Sequence, residues 1–270
     1  QSSELGGQFN VAKLIPGKSE FHATIRYFSN RLSNLGVDVR LNTKADAELI
    51  KAEGYSNVVL ASGVLPRSWE IPGSDRPEVV NYLDVLRGKV SVGEKIAIVG
   101  AGGIGFDVAD FLTHDSDSEG FHKSWGIDET LSKRGGLSLS ARTKSKRSVH
   151  LLQRSPGKPG AKLGKTTGWI HRMTLRERGV NMWGGIKYSK LDNAGLHLTH
   201  LDKGDVTLKV DTVVVCAGQT PFAPLLEELK STGLNVSLIG GAANCRGLDA
   251  QRAIREGLKL ATELAAKVST

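Results

Sequence analysis

The sequence predicts an α/β fold built on parallel sheets, and three observations carry that prediction. Short β-branched runs alternate with amphipathic helical stretches, the rhythm of βαβ units. One buried run, Lys95–Val99, leads directly into a glycine-spaced turn and a helix. Two strand candidates end alike, in Ala61-Ser62-Gly63 and Cys216-Ala217-Gly218, and look like counterparts. The length of 270 residues suits one large domain or two small ones.

The first element is a helix over Ser19–Leu35, with Phe21, Ile25, Phe28, Leu32 and Leu35 at steps of three and four. Ser19 caps it and Gly36 stops it. Val37–Leu41 reads as a strand and Asn57–Ala61 as a second. Pro66, Pro72, Gly73 and Pro77 then mark a looped connection. A fresh unit opens with the Lys95–Val99 strand, the turn Gly100-Ala-Gly102-Gly103-Ile104-Gly105, and a helix over Phe106–Leu112. Residues 114–147 are polar, rich in Gly and Ser, and without clear period, which reads as a surface insertion. Val149–Gln153 is the next strand, followed by a helix over Thr166–Arg178. Val180–Trp183 and Leu196–Leu201 are extended, and Thr212–Cys216 is a buried strand. Val236–Ile239, the turn Gly240–Gly241 and a helix over Asp249–Ala266 close the chain.

Composition excludes several classes. The 39% hydrophobic fraction, with 32 glycines added, brings the apolar share to about half, too much for a disordered chain. The longest apolar runs are short, as in Val213–Ala217, far below the roughly 18 residues of a membrane span. Two cysteines, Cys216 and Cys245, form neither a disulfide framework nor a Cys-x-x-Cys centre, and the expected compartment is the cytoplasm. The formal net charge of +8 concentrates in Arg142–Arg147 and again between Arg154 and Arg178. No aromatic residue interleaves with the Arg142–Arg147 cluster, so the expected role is a solvated loop or steering toward a small phosphorylated ligand, not nucleic-acid binding. No metal site is expected, because the seven histidines lack ligand spacing; only His171, on the helix after the basic loop, merits attention.

The glycine turn carries the chemistry. Gly100 permits the tight turn, Gly102 lets the backbone approach a pyrophosphate, and Gly105 allows close helix–strand packing. The helix N-terminus adds free N–H groups and a positive partial charge. A plain structural glycine turn is the alternative. Arg154 ends the next strand where a NAD site usually places an acid; it favours NADPH, the alternative being a solvated arginine. Gly160-Ala-Lys162-Leu-Gly164-Lys165-Thr166 imitates a phosphate-binding loop but has Pro159 where the first glycine belongs. Lys162 and Lys165 either face a phosphate or form a basic surface loop.

Several blocks together resemble one family, the bacterial NADPH-dependent 2,4-dienoyl-CoA reductases. They are Leu5-Gly-Gly-Gln8-Phe-Asn-Val-Ala-Lys13 with Ile15-Pro-Gly-Lys18, Leu60-Ala-Ser-Gly63-Val64, Tyr82–Arg87, Gly100–Asp107, Trp125-Gly-Ile-Asp128, Leu163–His171, Val215–Gln219 and Leu248–Ile254. The resemblance runs from end to end. It implies two Rossmann-like domains in a glutathione reductase-like arrangement: an FAD portion of residues 1–90 and 220–270, lacking its first βαβ segment, and an NADPH portion of residues 91–219. It implies an oxidoreductase of unsaturated fatty acid β-oxidation, in which this chain passes hydride from NADPH to FAD. A partner portion, the N-terminal barrel, would hold FMN, the iron–sulfur cluster and the substrate site. Residue by residue, Gln8, Lys18 and Ala45 become FAD contacts, and Gly100, Gly102, Gly103, Ile104, Gly105 and Arg154 hold NADPH. Ala217 and Gly218 would lie where the two domains meet, and Ser62 and Gly63, at the counterpart strand end, complete the cofactor-binding set. Gly240, Gly241 and Asp249 face the isoalloxazine, with Asp249 also a candidate N-cap. A non-catalytic nucleotide-binding module and a stand-alone NADPH:flavin or quinone reductase remain as other readings.

Overall fold

The computed structural model describes residues 2–114, 121–139 and 144–268. The chain forms two compact units. One comprises Gln1–Gly7, Ser29–Arg67 and Gly218–Thr270; the other comprises Gln8–Phe28 and Ser68–Ala217. Among the described residues no helix is long and apolar enough to cross a membrane.

The second unit is a layered α/β body. Its five-stranded parallel sheet runs, edge to edge, Val79–Asn81, Thr212–Val215, Lys95–Val99, Ser148–Leu152 and Asn181–Trp183. The strands are apolar on both faces because both faces are covered, as parallel sheets require. Ile96, Ile98, Val149, Leu151 and Val214 pack against Phe106, Val108, Leu112 and Leu175 on the helical side. Ala97, Val99, Leu152 and Val213 face the other way, onto Ile186, Leu191, Leu196, Leu198 and Leu208. Those last five come from an antiparallel three-stranded meander of Ile186–Asp192, Gly195–His200 and Gly204–Leu208. Each fully buried Leu, Ile or Val contributes about 1.5–3 kcal/mol, so this double core dominates the unit's stability.

Strand order sets the functional geometry. From Lys95–Val99 the chain crosses by helix Gly103–Thr113 to the Ser148 strand on one side, whereas the Thr212 strand returns on the other. The winding therefore reverses at the carboxyl ends of the Lys95 and Thr212 strands, where open α/β sheets form a ligand crevice.

The first unit holds two short sheets. Asn57–Leu60 pairs in parallel with Asn235–Leu238, and Val64–Pro66 pairs antiparallel with Gln219–Pro221. Helices Ala47–Ala52, Leu226–Ser231 and Ala250–Val268 accompany them.

Most expected elements form within a residue or two of their predicted ends, including helix Phe21–Asn34. Three expectations change. Val37–Leu41 is not a strand: among the described residues nothing pairs with it, and Val37, Val39 and Leu41 stay exposed. Apolar alternation without a partner backbone leaves the ladder unmade. After the looped connection marked by Pro66, Pro72, Gly73 and Pro77, within residues 1–90 assigned to the FAD portion, Val79–Asn81 joins the five-stranded sheet and Tyr82–Leu86 forms a helix. The insertion carries local order, with helix Phe121–Trp125 and a bridge between Ile127 and Leu137. Asp128 organises its turn, accepting from the Thr130 and Ser132 hydroxyls and the Thr130 and Lys133 amides. Those donors, the Thr130 hydroxyl foremost, hold its carboxyl well below the usual range. The parts of the insertion and of the Arg142–Arg147 cluster at 115–120 and 140–143 lie outside the described residues.

Candidate functional site

The glycine elbow follows the Lys95 strand as predicted, and its glycines differ in what they do. Gly100 has φ +112°, and a side chain there would run into the Cys216 backbone. Gly105 lies in the elbow helix, Gly103–Thr113, and a Cβ on it would overlap the Gly100 carbonyl, with Leu151 Cδ1 at 3.3 Å. Packing requires both glycines, and at Gly100 the left-handed backbone requires one as well. Gly102 and Gly103 are different: a Cβ at either meets nothing within 4 Å. Gly102 caps the helix with extended backbone, φ −85° and ψ −169°, and makes no side-chain cap. The elbow thus presents an open helix N-terminus framed by locked backbone, with free space where side chains at Gly102 and Gly103 would stand. Ile104 packs partly buried against the helical core and fixes the first turn.

Beside the elbow, Arg154 follows the end of the Ser148–Leu152 strand. It is exposed and has no ion-pair partner among the described residues. Gln153 anchors the bend before it, its backbone N–H donating to Trp183 O at 2.8 Å and its side chain to Ser155 O at 3.0 Å. Cys216, just after the Thr212 strand, is buried, and burial pushes its thiol far above the ordinary range. Its burial among core residues gives it a packing role. Ala217 follows it, packed against the meander-side core.

Lys18, assigned to FAD by resemblance, is engaged within the second unit. Its Nζ donates to both Asp107 oxygens at 2.6 Å, and Asp107 lies on the elbow helix. Gln8 is exposed and precedes helix Phe9–Ala12, accepting two backbone bonds through its carbonyl. His171 sits half-buried on helix Gly168–Glu177.

In the first unit, Ala45 is exposed just before the Asp46 cap. The Ser62 hydroxyl donates to Phe222 O, while Gly63 has φ +80° and open space where a Cβ would be. The Gly218 carbonyl accepts from Arg67 N at 3.0 Å. Gly240 and Gly241 are buried; Gly240 N–H donates to Glu256 Oε2 at 2.6 Å, and Val64 and Leu248 close around Gly241. Asp249 is an N-cap, accepting from Arg252 N at 2.7 Å. Arg252 staples this loop, bonding Glu256 at 2.8 Å together with the carbonyls of Asn244 and Arg246. That arginine and the Gly240 amide hold the Glu256 carboxyl below its usual range. Sequence reasoning missed Asp107, Arg252 and Glu256. Arg252 and Glu256 left a signal in their spacing of four on a helix, and Asp107 only in its place within the glycine motif.

The meander side also holds an aromatic row that sequence reasoning missed. His150 and His200 stand edge-on to Trp183, with ring centroids at 5.4 and 5.6 Å, and Lys203 Nζ sits 4.3 Å from the Trp183 centroid. Among the described residues, His150 Nδ1 and the Tyr188 hydroxyl are buried without hydrogen-bond partners. Burial, then Lys203, lowers the His150 pKa. An unfolded chain therefore takes up this proton first as pH falls through the ordinary imidazole value of about 6.5. Stability should drop across the window from there to the lowered value and level off below it. Thermal unfolding of wild type and His150→Gln between neutral and mildly acid pH checks this. A flatter profile in the variant is expected, and identical slopes would refute the assignment.

Three comparisons place the chain among known proteins. The sequence profile described as "Pyridine nucleotide-disulphide oxidoreductase" matches residues 44–243. A bilirubin reductase of Mediterraneibacter gnavus is 27% identical over 264 residues, 98% of this chain and 36% of that protein. A metal reductase of Desulforamulus reducens is 27% identical over 252 residues, 91% of this chain and 37% of the relative. The chain therefore spans little more than a third of the curated relatives it matches. Among solved structures, a 2-naphthoyl-CoA reductase complex superposes with TM-score 0.77 at 24% identity, over 95% of this chain and 34% of that one. Histamine dehydrogenase from Rhizobium sp. 4-9 gives 0.76 at 16% identity, over 97% and 39%. Both similarities are of fold.

Proposed function

We propose that this chain, which belongs to the pyridine nucleotide-disulphide oxidoreductase family, is the electron-input portion of a 2,4-dienoyl-CoA reductase. The family binds FAD and NAD(P)H, and the chain shares its α/β, Rossmann-type fold. When bound, NADPH supplies a hydride and FAD accepts it. The chain's own residues position and discriminate. The open Gly102 and Gly103 backbone takes the NADPH diphosphate on the elbow helix's N–H groups, and Arg154 takes the 2′-phosphate. The Lys18–Asp107 pair keeps the segment after Gln8 fixed to the elbow helix. Gly63 and the capped start of helix Ala250–Val268 are the first unit's contribution to FAD. The single observation that carries the reading is the division of labour in the elbow, with Gly100 and Gly105 locked by packing and Gly102 open.

The specific reductase is supported by the blocks from Leu5 to Ile254, among them Trp125–Asp128 and Leu163–His171. The span of about a third of each relative supports a larger enzyme, whose other portion would carry FMN, the cluster and the acyl substrate. One observation favours a second reading, a nucleotide-binding module without catalysis: Ser62, Gly240 and Asp249 spend their hydrogen bonds within the first unit. Absorbance of the purified chain separates the two. A flavin band that bleaches anaerobically on adding NADPH is expected, whereas a colourless chain that binds NADPH would leave the module.

A further inference from the structure

Charge in this chain is distributed unevenly. Between Thr130 and Arg176 stand twelve of its 36 basic residues and none of its 28 acidic ones. The rest of the chain carries 24 basic against 28 acidic residues, so the positive balance comes from this stretch alone. The structure shows where part of that charge goes. Gly160, at φ +72°, is pressed against the ring of Phe106 so closely that a Cβ would lie 2.5 Å from its Cζ. Phe106 belongs to the first turns of the elbow helix, so this contact plants the loop after Arg154 beside the elbow. Arg172 secures it, donating Nη1–H to Gly160 O at 2.8 Å. Lys158 and Lys162 flank the anchored glycine and Lys165 follows. All three are exposed, as is Arg154, and their side chains have no acid or carbonyl partner among the described residues.

We infer that Lys158, Lys162 and Lys165 form an electrostatic capture surface that draws the polyphosphate dinucleotide into the elbow, governing its association rate and not its grip. The inference rests on the NADPH reading above. Four unneutralised cations beside an open helix N-terminus raise the local concentration of an approaching multiply charged anion. Exposed lysines on long stems lose much of any contact energy to side-chain entropy, so they act on encounter and leave the release rate alone. Arg172 is not part of this surface, because its guanidinium is committed to the loop backbone.

Stopped-flow binding of NADPH to the full chain tests this. Raising ionic strength from about 0.01 M to about 0.1 M shortens the screening length from about 30 Å to about 10 Å. The association rate constant should fall by about tenfold over that range. A Lys158→Glu, Lys162→Glu, Lys165→Glu variant should lower it by about tenfold at low salt, flatten the salt dependence, and leave dissociation within about twofold. The same charge change placed elsewhere on the second unit, at Lys89, Lys187 and Lys209, should leave association near wild type. Three outcomes overturn the inference alone: association indifferent to salt, a loss in the lysine variant that falls on dissociation, or a short DNA duplex that binds this face more tightly than NADPH. No NADPH binding at any salt overturns the nucleotide reading itself and the inference with it.

Discussion

Valine at Gly105 is expected to unfold the second unit, whereas valine at Gly102 should leave it folded and remove NADPH binding. The two positions are three residues apart in one motif, and their surroundings decide the outcome. A Cβ at Gly105 would overlap the Gly100 carbonyl, and Leu151 on the adjacent strand closes the remaining space. The elbow helix would have to lift from the sheet, against a core in which Ile98, Val108 and Leu151 are fully buried. Overpacking of that kind costs about 3 kcal/mol or more when backbone meets backbone. At Gly102 the backbone is extended and the space is open, so the fold loses about 1 kcal/mol at most, from a poorer helix cap. The isopropyl group would instead stand where the diphosphate reaches the helix N–H groups, and affinity should fall by about 100-fold or more. Thermal unfolding beside NADPH titration resolves the two variants. A Gly102→Val protein that binds NADPH normally would refute the assignment of the elbow as a diphosphate site.

The second large effect concerns which dinucleotide binds. Arg154→Ala should weaken NADPH by about 10- to 100-fold and leave NADH nearly unchanged. A hydrogen bond to a charged group contributes about 1.5–3 kcal/mol, and 1.4 kcal/mol is a factor of ten in affinity. Arg154 is exposed and without an ion-pair partner among the described residues, so the substitution removes no internal contact and the fold should keep its stability. Equal losses for both dinucleotides, measured by titration under one salt condition, would show that this guanidinium does not read the 2′-phosphate. Its effect should appear in dissociation, which sets it apart from the lysines downstream.

The parallel sheet and the elbow were legible in the sequence because each rests on local pattern. Lys95–Val99 is an uninterrupted apolar run, and Gly100, Gly102 and Gly105 follow at the spacing that a tight strand-to-helix turn requires. What escaped depends on partners distant in sequence. Val79–Asn81 is too short to announce itself, and becomes a strand only because the Thr212 strand offers it a ladder. Val37–Leu41 shows the converse, with the right residues and no pairing strand among those described. The meander was half seen, since Gly195–His200 alternates cleanly while Ile186–Asp192 carries a register shift between Tyr188 and Lys190 that blurs its period. Asp107 could be located as part of the motif, but its pairing with Lys18 spans 89 positions and no local pattern encodes it.

The short strand Val79–Asn81 limits how the protein can be divided. It covers one side of Thr212–Val215, whose Val213 and Val214 have no solvent exposure. A nucleotide-binding piece excised at residue 91 would leave that row of N–H and C=O groups bare along an intensely apolar strand. Such an edge invites other chains to pair with it. Any piece intended to stay monomeric in solution should therefore begin at or before Ser68, where the second unit resumes.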